Sequence, residues 1–455
     1  MPKVDPGALE ELHQVESELD TRWPETKIAP SLSRIAALVD VLAEPHRAYP
    51  VVQVAGTNGK SSTTRMIDAL LTRLGLRTGR FTSPHLQLVT ERISLDNEPI
   101  SPERYVEVFR DLEPYIAMID GKSDVRMSKF EVLTAMAFAA FADAPVDAAV
   151  LEVGLGGSWD ATNVVDARIA VVCPIGIDHV DYLGPDILGI AREKAGIIKP
   201  GSIAVLAEQN PDVLTELLRR CTEVDATVAR QGSEFGVLNR HVAIGGQVLE
   251  LQGLGGTYDD IFLPLHGAHQ AANAALALAA VEAFFGAGTE RQLDVDAVRA
   301  AFATIQVPGR LERVRMSPSV FVDAAHNPHG AAALAAALDD EFGFRKLVGV
   351  VGVMGDKDVA GILTALEPVF AELVVTANSS PRAMSPDLLG EVAIEIFGPD
   401  RVHVEQRLDN AIDTAVTLAE EVDDPREPIA GGGVVVTGSV VTAGETRALF
   451  GKDPA

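Results

Sequence analysis

The segment from Val51 to Gly75 admits few folds. Val51-Val52-Gln53-Val54 is a short, largely β-branched run that ends near Gly56, and Thr63–Leu74 then carries helical spacing up to Gly75. Strand, glycine turn and helix follow one another directly, so the helix must fold back over the strand. The alternation recurs. Ala148–Val153, Ile169–Pro174 and Ile203–Ala207 read as buried strands, and Gly267–Phe285 is a long alanine-rich helix. Strands of this kind, separated by helical or loop sequence, predict an α/β fold with a mainly parallel sheet covered on both faces. Upstream, Leu9, Leu12, Val15 and Leu19 predict an amphipathic helix over 9–19, and a second is expected over Leu32–Leu42.

Val307-Pro308-Gly309-Arg310 interrupts this pattern, and a new alternation follows. Strands are expected at Val320–Asp323, Leu347–Val353, Leu373–Thr376 and Val434–Thr437, with helices at Ala331–Leu338 and Ala411–Glu421. The boundary is placed near residue 307. Residues 1–307 form a P-loop-containing central domain, and 308–455 form a smaller, Rossmann-like α/β domain. A length of 455 residues suits that division, at roughly 100–200 residues per domain. Two such domains imply a cleft between them, a usual place for a ligand.

A net charge of −27 argues against a general binder of nucleic acid or membrane, both of which are polyanionic. It does not exclude a small anion in a locally basic site. Cys173 and Cys221 are too few for a disulfide framework, and no Cys/His cluster suggests zinc. The segment MPKVDPGALEELHQVESELD has charges where a signal peptide needs an apolar core. Val132–Ala142 and Val434–Ala443 are well short of the roughly 20 residues of a membrane helix. The expectation is a cytoplasmic protein.

Five motifs carry chemistry. In Gly56-Thr57-Asn58-Gly59-Lys60-Ser61-Ser62, glycines let backbone N–H groups turn toward a phosphate, Lys60 adds charge, and a hydroxyl of Ser61 or Ser62 can reach Mg²⁺. The following helix offers its N-terminal dipole. Val54 stands at the first glycine position of the P-loop pattern, so the match is incomplete. A tight turn alone would explain the glycines, but not a lysine and two hydroxyls in this order. Glu152 ends an apolar strand before Gly154-Leu155-Gly156-Gly157, as a metal-holding carboxylate does in phosphate-binding α/β proteins. Ile177-Asp178-His179-Val180-Asp181 follows another strand, at the carboxyl edge where ligands bind. There His179 is either a metal or substrate contact or a structural histidine. Arg192-Glu193-Lys194, by charge pattern alone, reads as a surface helix face. Asp323-Ala324-Ala325-His326-Asn327-Pro328-His329 forms a loop at the edge of the second sheet, better suited to substrate than to a complete metal site.

Together these pieces resemble the folylpolyglutamate synthase/dihydrofolate synthase family of the Mur ligase superfamily. The resemblance spans about Ser31 to Gly444. It rests on VAGTNGKSS (54–62), FTSPHL (81–86), ERI (91–93), KFEVLTAMAF (129–138), LEVGLGGSWDATN (151–163) and GIDHVDYLG (176–184). AREKAGIIKPG (191–201), HGAHQAANA (266–274), PGRLERV (308–314), DAAHNPHG (323–330) and GDKD (355–358) continue the ordered set.

The resemblance implies an ATP-dependent amide ligase of folate biosynthesis and polyglutamylation, joining L-glutamate to dihydropteroate, reduced folates or both. It implies ATP and two Mg²⁺ ions. Ser83, Glu152 and His179 match metal ligands, and Lys194 matches a lysine carried as a carbamate, which turns a cation into a carboxylate-like group. Asn273, Arg310 and Asp323 match positions at the nucleotide, His326 sits where glutamate or phosphate is placed, and Phe130 matches an aromatic at the pterin pocket. One departure is that Ser61 directly follows the lysine, where folate-type ligases often carry Gly; Ser61 and Ser62 both remain metal candidates. A Mur-type amino-acid ligase acting on another carboxylate is the alternative. Against its cell-wall form, 55 residues precede Gly56, too few for the UDP-sugar-binding domain that the superfamily resemblance implies there. A transport or switch ATPase gives no reason for the Asp323–His329 loop, and a nonenzymatic scaffold gives none for a metal centre. One cleft per chain makes a monomer sufficient.

Overall fold

In the computed structural model, which describes residues 6–23, 31–286, 288, 291–421 and 431–454, the chain forms three sheets. The first has eight strands: β1 (Val51–Ala55), β2 (Thr78–Phe81), β3 (Ile93–Leu95), β4 (Glu98–Pro99), β5 (Ala148–Glu152), β6 (Ile169–Val172), β7 (Ile203–Leu206) and β8 (Thr227–Arg230). Their order is β4-β3-β2-β5-β1-β6-β7-β8, with β1 parallel to both β5 and β6. Only the β2–β3–β4 edge is antiparallel.

The central strands are apolar on both faces because both faces are covered. Strand side chains alternate sides, so β1 serves two cores. Val52 and Val54 pack under the helices Lys60–Arg73 and Ala268–Phe284. Val51 points the other way, to Phe138, Phe141 and Tyr105 on the helices Pro102–Lys122 and Lys129–Asp143. The helix Pro6–Asp20 joins that second core through Leu12, Val15 and Leu19, the stripe its spacing predicts. Met1–Asp5, within the segment read for a signal peptide, lie outside the described residues.

The antiparallel sheet of β9 (Gly236–Ala243), β10 (Gly246–Gln252) and β11 (Thr257–Leu263) is a departure from the expected parallel alternation. The third sheet contains β12 (Glu312–Met316), β13 (Ser319–Val322), β14 (Lys346–Val351), β15 (Glu372–Val375), β16 (Val402–Val404) and β17 (Gly432–Thr437), ordered β12-β13-β17-β14-β15-β16. It is parallel except for the β12–β13 hairpin.

Two helices begin earlier than their apolar spacing predicts. One starts at Lys60 rather than Thr63, the other at Pro328 rather than Ala331. In both, the first turn belongs to the ligand-facing loop, and its polar residues hide the helical period. The surface-helix reading of Arg192–Lys194 is corrected in part: the Arg192 side chain is 50% exposed, but Lys194 is buried.

Candidate active site

The loop after β1 is shaped by its backbone. Gly59 has φ +84°, and a Cβ there would lie 2.7 Å from Asn273 Oδ1, so only glycine serves. Thr57 ties the loop to the exit of β6: its N–H donates to Pro174 O at 3.0 Å and its Oγ1 to Gly176 O at 2.9 Å. Lys60 Nζ curls back to Gly56 O and Thr57 O, 3.1 Å each. Gly59 caps the next helix with no side-chain hydrogen bond, which leaves its N-terminal dipole directed at the cavity rather than at a capping side chain.

That cavity measures about 750 Å³. Asn58, Gly59, Lys60, Ser61, Ser62 and Asn273 form one wall, and Arg310, Asp323 and His326 face it from the C-terminal part. Asn273, 5% exposed, is held by its Nδ2 donating to Gln270 Oε1 at 3.2 Å. Phe130 also lines the cavity, packed on Phe81 with ring centroids 5.7 Å apart.

Glu152 ends β5, is 1% exposed and accepts from Ser61 Oγ at 2.8 Å; Ser83 N donates to its other oxygen at 3.4 Å. Burial pushes its carboxyl up, and Lys60 opposes that. Ser61, not Ser62, is thus the hydroxyl placed against the carboxylate, although both reach the cavity wall. Lys194 lies behind the loop with Nζ donating to Gly56 O at 2.8 Å. Burial, then Lys60, pushes its pKa down to about 7. His179, at φ +53°, heads a short helical turn and lines the cavity. Partial burial lowers its pKa, favouring the neutral imidazole.

Glu152 and Ser61 offer hard oxygen atoms of the kind Mg²⁺ prefers, and Ser83 lines the same cavity, so these residues fit one such ion. Among the described residues, no three His, Cys, Asp or Glu side chains cluster as a metal site.

Asp178 and Lys357 join the site, although the sequence assigned neither a role. Asp178 accepts from Lys357 Nζ at 2.6 Å and from Asn327 Nδ2 at 3.0 Å, with His326 Nε2 3.5 Å away. Burial pushes its carboxyl up, but the His326 hydrogen bond and electrostatic attraction to His179, His326 and Lys357 outweigh that and hold it well below the usual range. Asn58 and Asn327 exchange hydrogen bonds of 3.2 and 3.0 Å, and Asn58 Nδ2 contacts His329 Nδ1 at 2.7 Å. The two halves of the cavity are thus joined directly through the glycine loop. Asp323, 7% exposed, accepts from Leu311 N and Ala325 N at 2.8 Å each, and burial raises its pKa. His326 Nδ1 lies 2.9 Å from Ala324 O, while His329 turns to Asn58; the two histidines do not converge on one point. The available signals were an acid beside His179 and a lysine in Gly355–Asp358, but neither spacing foretold their pairing.

The Mur ligase middle domain matches residues 54–281, and the Mur ligase glutamate ligase domain matches 309–439. The dihydrofolate synthase/folylpolyglutamate synthase of Mycobacterium tuberculosis is 60% identical across 99% of this chain and 96% of its own. The chain belongs to the dihydrofolate synthase/folylpolyglutamate synthase family. Its fold agrees with that family throughout. The M. tuberculosis folylpolyglutamate synthase complexed with ADP and AMPPCP superposes with a TM-score of 0.94 at 59% identity, covering 98% of this chain and 100% of the other. Escherichia coli FolC in complex with DHPP and ADP gives 0.83 at 30% identity, with 97% of each chain covered. No helix among the described residues is long and apolar enough to cross a membrane.

Proposed function

We propose that the protein joins L-glutamate by an amide bond to dihydropteroate and to reduced folates, consuming ATP. The observation that carries this reading is one cavity in which a phosphate loop, a buried carboxylate with two serines, and the Asp323–His326 loop meet. Relatives named for both folate activities support it, as does a relative solved with ADP and AMPPCP. Residues 1–307 and 308–455 are taken as its two domains.

A carboxylate is a poor electrophile and must be activated. In the proposed mechanism, a carboxylate oxygen of the acceptor attacks the γ-phosphorus of ATP, ADP leaves, and an acyl phosphate forms. The amine of glutamate attacks the acyl carbon, the C–O bond to phosphate breaks, and phosphate departs. Backbone N–H groups of Gly59 and Lys60 and the Lys60 ammonium bind and orient the phosphates, which is the main need of phosphoryl transfer. Asn273 and Arg310 hold the nucleotide, with Asp323 fixing the loop beside it. Phe130 stacks on the pterin end. His326 places glutamate, with Lys357 nearby. Ser61, Ser83, Glu152 and His179 would hold Mg²⁺, with carbamylated Lys194 completing a second site. Bound there, Mg²⁺ supplies positive charge that offsets the developing negative charge on phosphate. The bridge from Asn58 to Asn327 closes part of the cavity and helps exclude water, which would hydrolyse an acyl phosphate.

One cavity per chain makes a monomer sufficient for the reaction. A cytoplasmic site of action fits the folate substrates. The test is phosphate release with ATP, Mg²⁺ and L-glutamate, comparing dihydropteroate with tetrahydrofolate. Release stimulated by both acceptors is expected. Dihydropteroate alone would mean a synthase, and tetrahydrofolate alone a tail-extending enzyme. Stimulation by neither acceptor in folded protein would overturn the folate reading.

A further inference from the structure

The helix Val440–Leu449 lies outside the motifs that carry the chemistry, yet it grips two of the segments that do. Arg447, near its end, is 4% exposed. Its Nε donates to Glu312 Oε2 at 2.8 Å, and its Nη1 donates to Gln87 Oε1. Gln87 follows Ser83 by four residues, in the same loop. Its Nε2 donates to Lys452 O at 2.9 Å, so it meets the C-terminal segment twice. The same helix presses on the loop one residue earlier: a Cβ on Gly444 would strike the Leu86 carbonyl. Glu91 takes the N–H groups of Leu86, Gln87 and Leu88 at 2.8, 3.0 and 2.9 Å, which fixes the loop from its other side.

The second grip reaches the nucleotide wall. Glu312 Oε2, the atom that receives Arg447, also accepts from Gly309 N at 2.8 Å. Arg310 is the next residue, and Leu311 N is bound by Asp323. Leu86 also meets this turn, since a Cβ on Gly309 would lie 3.2 Å from Leu86 Cδ2. One buried guanidinium therefore braces the Ser83 loop with one arm and the Gly309–Leu311 turn with the other. A planar guanidinium with five donors can hold both at fixed geometry, whereas a lysine offers a single point of attachment.

We propose that Arg447 is a positioning residue that sets the Ser83 loop for Mg²⁺ and the Arg310 turn for the nucleotide. The proposal rests on the metal and nucleotide reading of the site given above. It makes the last helix a brace for two elements from different parts of the chain. Partners that orient metal-facing groups contribute strongly to metal affinity, with losses of about 10- to 100-fold on mutation.

The test is calorimetric titration of the full-length protein with ADP, in EDTA and across a series of free Mg²⁺ concentrations. Circular dichroism and melting temperature report the fold. For Arg447→Met, the free Mg²⁺ that gives half of the gain in ADP affinity should rise about 10-fold. ADP affinity in EDTA should also fall. Gln87→Met cuts the loop arm, together with the bond to Lys452 O, and should change only the Mg²⁺ dependence. Glu312→Met cuts the other arm and should change mainly the affinity in EDTA. If Arg447→Met does not fold, the two single-arm variants decide the question. Unchanged titrations in folded Arg447→Met would overturn the proposal, as would equal losses of both quantities in both single-arm variants. A wild-type protein that binds no ADP even with Mg²⁺ would instead remove the ATP-dependent reading itself.

Discussion

The two walls of the cavity are built in different ways. The wall after β1 comes largely from one continuous segment, Gly56–Ser62, whose shape is set by glycine backbone and the start of a helix. The facing wall of Arg310, Asp323 and His326 is joined to side chains far apart in sequence: Asp178, Asn327 and Lys357 meet there through hydrogen bonds. The first wall presents donors held by the fold. The second depends on contacts that must form between separate parts of the chain. Binding of phosphate should therefore survive damage to the Asp178–Asn327–Lys357 contacts, whereas coupling of phosphate chemistry to glutamate should not.

The largest expected effect falls on the first wall. Lys60→Ala should reduce ATP-dependent ligation by at least about 10³-fold with little change in the melting curve, since it removes charge placed at the transferred phosphate. Near-normal phosphate release by this variant would break the assignment of that wall to phosphate. Lys194→Met should be nearly as damaging to turnover, yet should stabilise the ligand-free protein in bicarbonate-free buffer. The sign follows from proton binding. The unfolded chain keeps the lysine proton up to its ordinary value of 10.5, but burial lets the folded chain keep it only below about 7. The unfolded state therefore binds more protons across that window, and this lysine's contribution makes stability rise with pH from about 7 to about 10.5. Methionine removes the cost of burying the amine, and the melting temperature should increase by a few degrees at pH 7. A lowered melting temperature would contradict this account. The same titration favours carbamate formation above pH 7, because only the neutral amine takes up CO₂. A ¹³C carbamate resonance should appear in wild-type protein with labelled bicarbonate and be absent in Lys194→Met.

Effects on the second wall should be smaller and more selective. His326→Ala should raise the KM for glutamate by roughly 10-fold while ADP affinity stays near normal, the equivalent of about 1.4 kcal/mol. Equal losses for glutamate and ADP would erase the distinction between the walls. The Asn58–Asn327 pair should give the smallest effect. A double-mutant cycle with alanine should show a coupling of about 0.5–1.5 kcal/mol in ligation and none in ADP binding.

The same contrast explains what was legible in the sequence. The β1–loop–helix unit was readable because strand, glycines and lysine lie in unbroken order, and the parallel sheet was readable because its strands are apolar on both faces. The three-stranded antiparallel sheet was not foreseen: no residue of β9 is buried, so the strand lacks the apolar run used to find strands. Lys194 was misread from charge pattern because Arg192, two residues away, does face solvent; motif resemblance alone marked it as different. Ser61 could be separated from Ser62 only by the 2.8 Å contact with Glu152. Asp178 and Lys357 stood in recognised motifs, but 179 residues separate them, and no local spacing predicts a pair at that distance.

The central claim is that the acceptor carboxylate is activated by the γ-phosphate before glutamate attacks. Dihydropteroate labelled with ¹⁸O in its carboxylate tests this directly, with mass spectrometry of the phosphate released during one turnover. Attack on phosphorus followed by phosphate departure predicts one ¹⁸O in that phosphate. Amide product formed with unlabelled phosphate would contradict the account.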